Sequence, residues 1–317
     1  MEPNHSFPSE ASPEKDPTPG RRLLVTGASG NLGGFLCQVA RKAGWEVVGA
    51  YRNHPIRIPG IAGRRIDLYQ TDSISRVLSE IRPRGVIHAG AVAGINACEA
   101  DPSATWTINV TASARIARWC ADHQVPLIFT SSDMVFAGDR PPYRETDPAA
   151  PICRYGEQKA EAEKAVLSAW PHAAVCRLPL MFGVGQGNRT TFDEKMIADL
   201  RAGRQVLLFR DEFRTPVDLE SAAEGLLNLL DKDRGLFHLG GDRRVSRFEM
   251  GKLVAQRLGL DHALLLPVRQ RDVPMAALRP ADLSLRSDRA KALGYRPRTL
   301  VEGYRRMLRE MTAEVDG

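Results

Sequence analysis

A doubly wound parallel α/β sheet with a smaller C-terminal lobe is the fold class that the sequence predicts, and three observations predict it. From Arg21 onward, short apolar runs alternate with stretches long enough for crossover helices, which is how a buried parallel sheet reads in sequence. A glycine-rich turn follows the first of these runs directly. Beyond Leu178 the alternation weakens. The first strand is expected at Leu23 to Thr26 and its helix at Leu32 to Ala43. Further strands are expected at Val47 to Ala50, Val86 to Ala89, Leu127 to Thr130 and Val175 to Leu178. Residues 21–178 then form the sheet domain. Residues 179–317 form mainly the smaller lobe, with parts returning to the sheet; there, Gly183 to Arg189 and Arg210 to Pro216 read as loops around a helix near Phe192 to Ala202. Residues 1–20 hold five prolines and no apolar segment, and are expected to be a disordered tail, neither a signal peptide nor a transmembrane helix.

A chain of 317 residues with 43% hydrophobic and 26% charged residues can bury a sizeable core. Its formal charge of +6 is spread along the chain without a Lys/Arg run, which speaks against nucleic acid and suits a small anionic ligand. Five widely spaced cysteines with no C-x-x-C pair indicate neither a disulfide framework nor a metal site. A reducing, cytoplasmic setting and no membrane association are expected.

The turn after the first strand runs Gly27-Ala28-Ser29-Gly30-Asn31-Leu32-Gly33. Glycines at this spacing permit a tight turn and let backbone N–H groups, Ser29 to Leu32 among them, meet a pyrophosphate at the positive end of a helix. Dinucleotide binding is the expectation. The second strand ends in Ala50-Tyr51-Arg52-Asn53, where an NAD site usually places Asp or Glu. Arg52 suits a 2′-phosphate, so NADP(H) is preferred over NAD(H), although a solvated loop arginine also fits. Asp67, followed by Leu68, is a candidate for the adenine amino group or for the cap of the next helix. Ala89, at the end of a later strand, is placed beside the cofactor.

Tyr155-Gly156-Glu157-Gln158-Lys159 places a phenol and an ammonium on one helix face. A phenol with a pKa near 10 handles protons poorly at neutral pH, and a nearby ammonium is expected to lower that value. Upstream, Phe129-Thr130-Ser131-Ser132-Asp133 ends a strand and offers a hydroxyl for a substrate carbonyl.

Together with the glycine turn, Asn109 in Ile108-Asn109-Val110, Ser131 to Phe136, Tyr143-Arg144-Glu145-Thr146-Asp147 and Tyr155-Gly156-x-x-Lys159 with Glu163, the chain resembles the extended short-chain dehydrogenase/reductases from about Arg21 to Leu308. Within them it is most similar to the dTDP-4-dehydrorhamnose reductases; Arg214 to Leu219 and Arg279 to Leu283 resemble later segments of that group. The resemblance implies Ser132 as the hydroxyl residue, Tyr155 as acid/base, Lys159 on the nicotinamide ribose and tuning Tyr155, and Asn109 ordering a proton relay. Asp133 and Met134 would face the substrate. Two departures stand out: Met134 where the reductases usually have Tyr, and His88 in His88-Ala89-Gly90 where N-A-A is usual. His88 is read either as a satisfied histidine at the strand end or as catalytic. Asp133-Met134 also lacks the Asp-Glu pair of sugar 4,6-dehydratases, which argues against that reaction.

The expected function is reduction by NADPH of a carbonyl on a nucleotide-linked sugar or similar polar metabolite. Arg214 is a candidate for a substrate phosphate or for a surface salt bridge, with Arg177 and Arg279 as weaker candidates. An NAD-dependent epimerase and a non-catalytic dinucleotide-binding subunit, like the partner of methionine adenosyltransferase, are the alternatives. A homodimer pairing through Ala104 to Ala121 and Gly156 to Ala169 is implied by the resemblance.

Overall fold

Leu23, Leu24 and Val25 are wholly buried because β1 (Arg22–Thr26) lies inside a sheet covered on both faces. The computed structural model describes residues 20–185 and 190–313. Residues 1–19 of the expected tail and 186–189 of the expected loop lie outside the described residues. After β1 come α1 (Asn31–Lys42), β2 (Glu46–Tyr51), β3 (Ala62–Arg65), α2 (Thr71–Ile81) and β4 (Gly85–His88). They are followed by α3 (Ala112–Asp122), β5 (Leu127–Ser132), α4 (Arg154–Ala169) and β6 (Ala174–Leu178). The chain then builds α5 (Phe192–Arg201), returns to the sheet through α6 (Leu219–Leu229) and β7 (Gly235–His238), and ends with α7 (Arg247–Leu258) and α8 (Leu300–Ala313).

The seven strands are parallel and lie in the order β7-β6-β5-β4-β1-β2-β3. The connections reverse direction between β1 and β4, which opens a crevice at the carboxyl ends of those strands. On one face, Phe35, Leu36 and Ala40 of α1 share a core with Ala222, Ala223 and Leu226 of α6. On the other, α2, α3 and α4 contribute Ile74, Leu78, Ile116, Ala117, Ala162 and Val166. Each fully buried Leu or Ile there contributes roughly 1.5–3 kcal/mol.

The small lobe has its own core, in which Met196, Ile197, Leu200, Met250, Val254 and Tyr304 bring α5, α7 and α8 together. Tyr304 Oη donates to the buried Asp193 Oδ1 (2.9 Å), fastening α8 to α5. Arg210 to Pro216 departs from the expected loop: Phe213–Arg214 pairs antiparallel with Val245–Ser246, some thirty residues later in the chain, a partner that local pattern does not reveal. The helix expected through Ala104 to Ala121 is also interrupted. A π-helical turn at Thr107–Thr111 separates Pro102–Trp106 from α3, and Asn109 sits at its centre.

Candidate active site

At the crevice, the three glycines of the turn have different tasks. Gly27 has φ +68°, and a Cβ there would lie 2.8 Å from the Ala89 carbonyl oxygen and the Gly90 Cα. A Cβ on Gly33 would lie 2.2 Å from the Gly27 carbonyl oxygen. These two therefore serve the turn and its packing. A Cβ on Gly30 would meet only Gly27 O, at 3.2 Å, so this residue keeps one side open to the cleft. Gly30 is also the N-cap of α1; no side chain caps that end and its first turn has no acidic residue. The Gly30 N–H closes the turn on Gly27 O (2.9 Å). An uncapped helix start behind a cradle with room at Gly30 fits a dinucleotide pyrophosphate, which the backbone N–H groups of Ser29, Asn31 and Leu32 would meet.

β5 delivers the second part of the site. Its last residue, Ser132, caps the short 3₁₀ turn Asp133–Val135 by accepting from Met134 N (3.2 Å), and donates its own proton to Asp133 Oδ1 (3.1 Å). Gly156 lets α4 press against that turn. Tyr155 is thereby brought beside Ser132, close enough for the serine hydroxyl to favour the phenolate. Burial and the Asp133 charge act the other way and hold Tyr155 well above the ordinary value of 10. Lys159 is buried as well; its Nζ donates to Thr130 O (2.8 Å) and lies 4.8 Å from the Phe129 ring. Burial brings its pKa down to about 8, with Glu163 opposing. The expected lowering of Tyr155 by Lys159 is corrected here: the ammonium is directed at a backbone carbonyl, and desolvation dominates the phenol.

A single cleft of about 550 Å³ runs from the glycine turn past Ala89, Ser132, Asp133, Met134, Tyr155 and Lys159 to Arg214. It continues to Glu212, Arg247 and Arg279. Arg214 is neither a surface pair nor free for a ligand alone. It is buried, donates to Phe213 O (2.6 Å) and Pro280 O (3.2 Å), and lies 3.6 Å from both Asp133 Oδ2 and Glu212 Oε1. Arg247 donates to Glu212 Oε1 (3.2 Å). Arg247 Nη1 and Arg279 Nε are buried without a hydrogen-bond partner. Arg279 had only a minor place among the sequence expectations and Arg247 and Glu212 had none; Arg247 opens α7 inside a capping box formed by Ser246 and Glu249, a pattern that marks a helix start and not a ligand.

Other expected residues lie outside the cleft lining. Asn109 is locked in place: its Oδ1 accepts from Val92 N (2.8 Å), and its Nδ2 donates to Gln158 Oε1 (2.7 Å) and Val92 O (3.1 Å). His88 is satisfied on both sides, by Thr26 Oγ1 (2.6 Å) and Ser113 Oγ (3.0 Å). Since Ser113 donates to Asn109 O (2.8 Å), it accepts from His88 Nε2–H, and Nδ1 accepts from Thr26. Arg177, a weaker phosphate candidate, is instead buried in a bidentate pair with Glu163 (2.9 and 2.7 Å), whose Oε1 also accepts from Ser131 (2.5 Å). Arg52 is exposed at the end of β2, its guanidinium 5.1 Å from the Tyr69 ring centre. Asp67 Oδ1 accepts from Tyr69 N (3.1 Å), but the cap of α2 is Gln70, which corrects the capping expectation. Leu68 reaches to within 3.0 Å of where a Gly90 Cβ would stand, at the edge of the turn.

Residues 21–313 match the model of the RmlD substrate binding domain family. The chain belongs to that family. Among proteins to which this RmlD-family chain is similar, a probable low-salt glycan biosynthesis reductase of Haloferax volcanii is 31% identical over 81% of this chain and 87% of its own length. Methionine adenosyltransferase 2 subunit beta of Pongo abelii is 29% identical, over 89% of this chain and 85% of its own. In structure, a dTDP-4-dehydrorhamnose reductase from Bacillus anthracis in complex with NADP superposes with a TM-score of 0.81 at 23% identity, covering 92% of this chain and 99% of that one. The seven-stranded parallel sheet is thus that of the Rossmann-type reductases.

Proposed function

We propose that this RmlD-family protein is an oxidoreductase that reduces a carbonyl on a nucleotide-linked sugar, with NADPH preferred over NADH. One observation carries the reading: a single cleft joins the glycine turn, the Ser132–Tyr155–Lys159 group and the unpartnered N–H groups of Arg247 and Arg279. A dinucleotide suits the first part, a carbonyl the second and a diphosphate the third. A buried guanidinium N–H without a partner is costly, and an anion of the substrate offsets that cost.

A bound nicotinamide would supply the hydride. The protein's own contribution is to hold Ser132 and Tyr155 together, so that one donates a hydrogen bond to the carbonyl oxygen and the other gives it a proton. Lys159, on the same stretch of cleft, would meet the nicotinamide ribose. Apolar Met134 lines the same part of the cleft and offers the sugar no hydroxyl contact. Arg52, exposed where an acidic residue would select NADH, supports NADPH. We further place the protein in the cytoplasm as a homodimer.

NADPH consumption against a panel of nucleotide-linked ketosugars tests this reading. Turnover that disappears in Tyr155→Phe supports it. A second reading, a dinucleotide-binding subunit, is favoured by the similarity to the methionine adenosyltransferase subunit; it requires NADPH binding without turnover and an identical Tyr155→Phe protein. For Arg52, the ratio of NADPH to NADH affinity falls in Arg52→Ala, and an unchanged ratio removes the 2′-phosphate assignment.

A further inference from the structure

Ser132 has one proton to give, and the structure shows where it goes. Its hydroxyl donates to Asp133 Oδ1 (3.1 Å) while accepting from Met134 N (3.2 Å). As long as Asp133 is a carboxylate, which can only accept, that proton points away from Tyr155 and the cleft. Yet the carboxylate is poorly provided for. Asp133 is 3% exposed, its Oδ2 has no hydrogen-bond partner, and the nearest cation, Arg214, holds its Nε 3.6 Å away, beyond hydrogen-bond distance, while its two Nη groups serve the carbonyls of Phe213 and Pro280. A buried charge with one weak hydrogen bond is better accommodated as a neutral acid.

We propose that Asp133 is a positioning residue that turns the Ser132 hydroxyl. As a carboxylic acid it donates to Ser132 Oγ, and Ser132 then directs its own proton into the cleft, toward a carbonyl oxygen beside Tyr155. As a carboxylate it draws the proton back. The switch takes up or releases one proton, exchanged between Asp133 and solvent through the cleft, and the Ser132 hydroxyl only rotates, keeping its own proton. This inference rests on the reductase reading for its kinetic arm, whereas its spectroscopic arm stands without it.

The groups facing Asp133 are Ser132 and Tyr155 from β5 and α4, Arg214 and Glu212 from the strand segment across the cleft, and Arg247 from α7. Burial and Glu212 favour the acid, Arg214, Arg247 and Ser132 favour the carboxylate, and the balance puts the pKa at about 6. Asp133→Asn separates the alternatives. Arg214 lies on the Oδ2 side, so the amide oxygen of the variant faces it and the amide N–H₂ faces Ser132, a permanent copy of the acid form.

Infrared difference spectra of the free protein across pH 4 to 8 are the first measurement. A protonated-carboxyl band titrating near pH 6 is expected, lost in Asp133→Asn, kept in Asp193→Asn and shifted in frequency in Ser132→Ala, which removes its acceptor. A band unmoved in Ser132→Ala overturns the proposal. The second measurement is the pH profile of kcat with NADPH and dTDP-4-dehydrorhamnose. The wild-type rate falls about tenfold per pH unit above the Asp133 pKa, and Asp133→Asn flattens that limb. If the limb persists in Asp133→Asn, the proposal fails. Absence of wild-type turnover with this sugar and with the rest of the nucleotide-linked ketosugar panel instead removes the reductase reading, leaving the infrared result to decide for Asp133.

Discussion

A Cβ on Gly156 would lie 2.2 Å from the carbonyl oxygen of Met134. Helix α4 thus rests directly on the turn that follows Ser132, and the second residue of Y-G-x-x-K is glycine because nothing larger fits between them. In Gly156→Ala the helix must withdraw, separating Tyr155 from Ser132. A displacement of about 1 Å at a reacting group costs on the order of a hundredfold in rate. The expected result is a loss of that size in kcat with NADPH affinity at the distant glycine turn retained, measured by steady-state kinetics and fluorescence titration.

Glu163 and Arg177 form a buried bidentate ion pair near the site, with side chains 6% and 3% exposed. Glu163→Gln leaves the guanidinium buried and uncompensated, a change worth roughly 3–5 kcal/mol. It also removes a charge that supports the protonated Lys159 and a bond that holds Ser131. Denaturant unfolding should show the loss. The double variant Glu163→Gln/Arg177→Met, with no stranded charge, should recover much of the stability. Additive losses would mean that the pair is not coupled.

His88 and His238 are buried as neutral rings, with burial the main cause and nearby Lys159 and Arg177 the next; both pKa values lie near 3 against an ordinary 6.5. Their folded-state values are depressed, so the stability they permit is present above pH 6.5 and is lost as pH falls toward 3. Each costs about 1.4 kcal/mol per pH unit in that window. Asp133 and Asp193, raised to about 6, act with the opposite sign between their ordinary value and 6. Comparing wild type with His88→Asn isolates the ring: melting temperatures measured from pH 7 to 4 should fall less steeply in the variant. Equal slopes would contradict the assignment.

Arg279 and Arg247 are assigned to an anionic part of the substrate through N–H groups that no protein acceptor takes. A hydrogen bond to a charged group is worth about 1.5–3 kcal/mol. Arg279→Gln should therefore raise KM for a nucleotide-linked ketosugar about tenfold or more with a smaller effect on kcat, since the contact persists through the reaction. A fall in kcat at constant KM would place Arg279 nearer the chemistry.

The sheet was legible where apolar runs are continuous, as in Leu23 to Thr26 and Leu127 to Thr130, both of which fall within observed strands. Ala62–Arg65 carries no such signal, because it is an exposed edge strand that buries nothing. Spacing alone did not single out Tyr155 and Lys159; the strand-end hydroxyl of Ser132, the glycine turn and the family resemblance did, and the fold brings the three residues to one cleft. Arg247 and Glu212 did not. Their place in the cleft depends on pairing between segments far apart in sequence, as when Arg214 meets Val245, and no local pattern encodes that. Arg177 was misjudged because a lone arginine on a strand looks the same whether its partner is a ligand or a buried Glu163.

All five cysteines are free and buried, and Cys98 and Cys153 share an apolar cluster with Tyr155 and Met134. The native molecule therefore presents a colourimetric thiol reagent with nothing to attack until some part of it opens. Labelling speed becomes a clock for those openings, and identifying which thiol reacts first maps them. Cys98 and Cys153 report on the apolar cluster behind Tyr155 and Met134, whereas Cys37, on the buried face of α1, keeps time for the half of the sheet that carries the glycine turn.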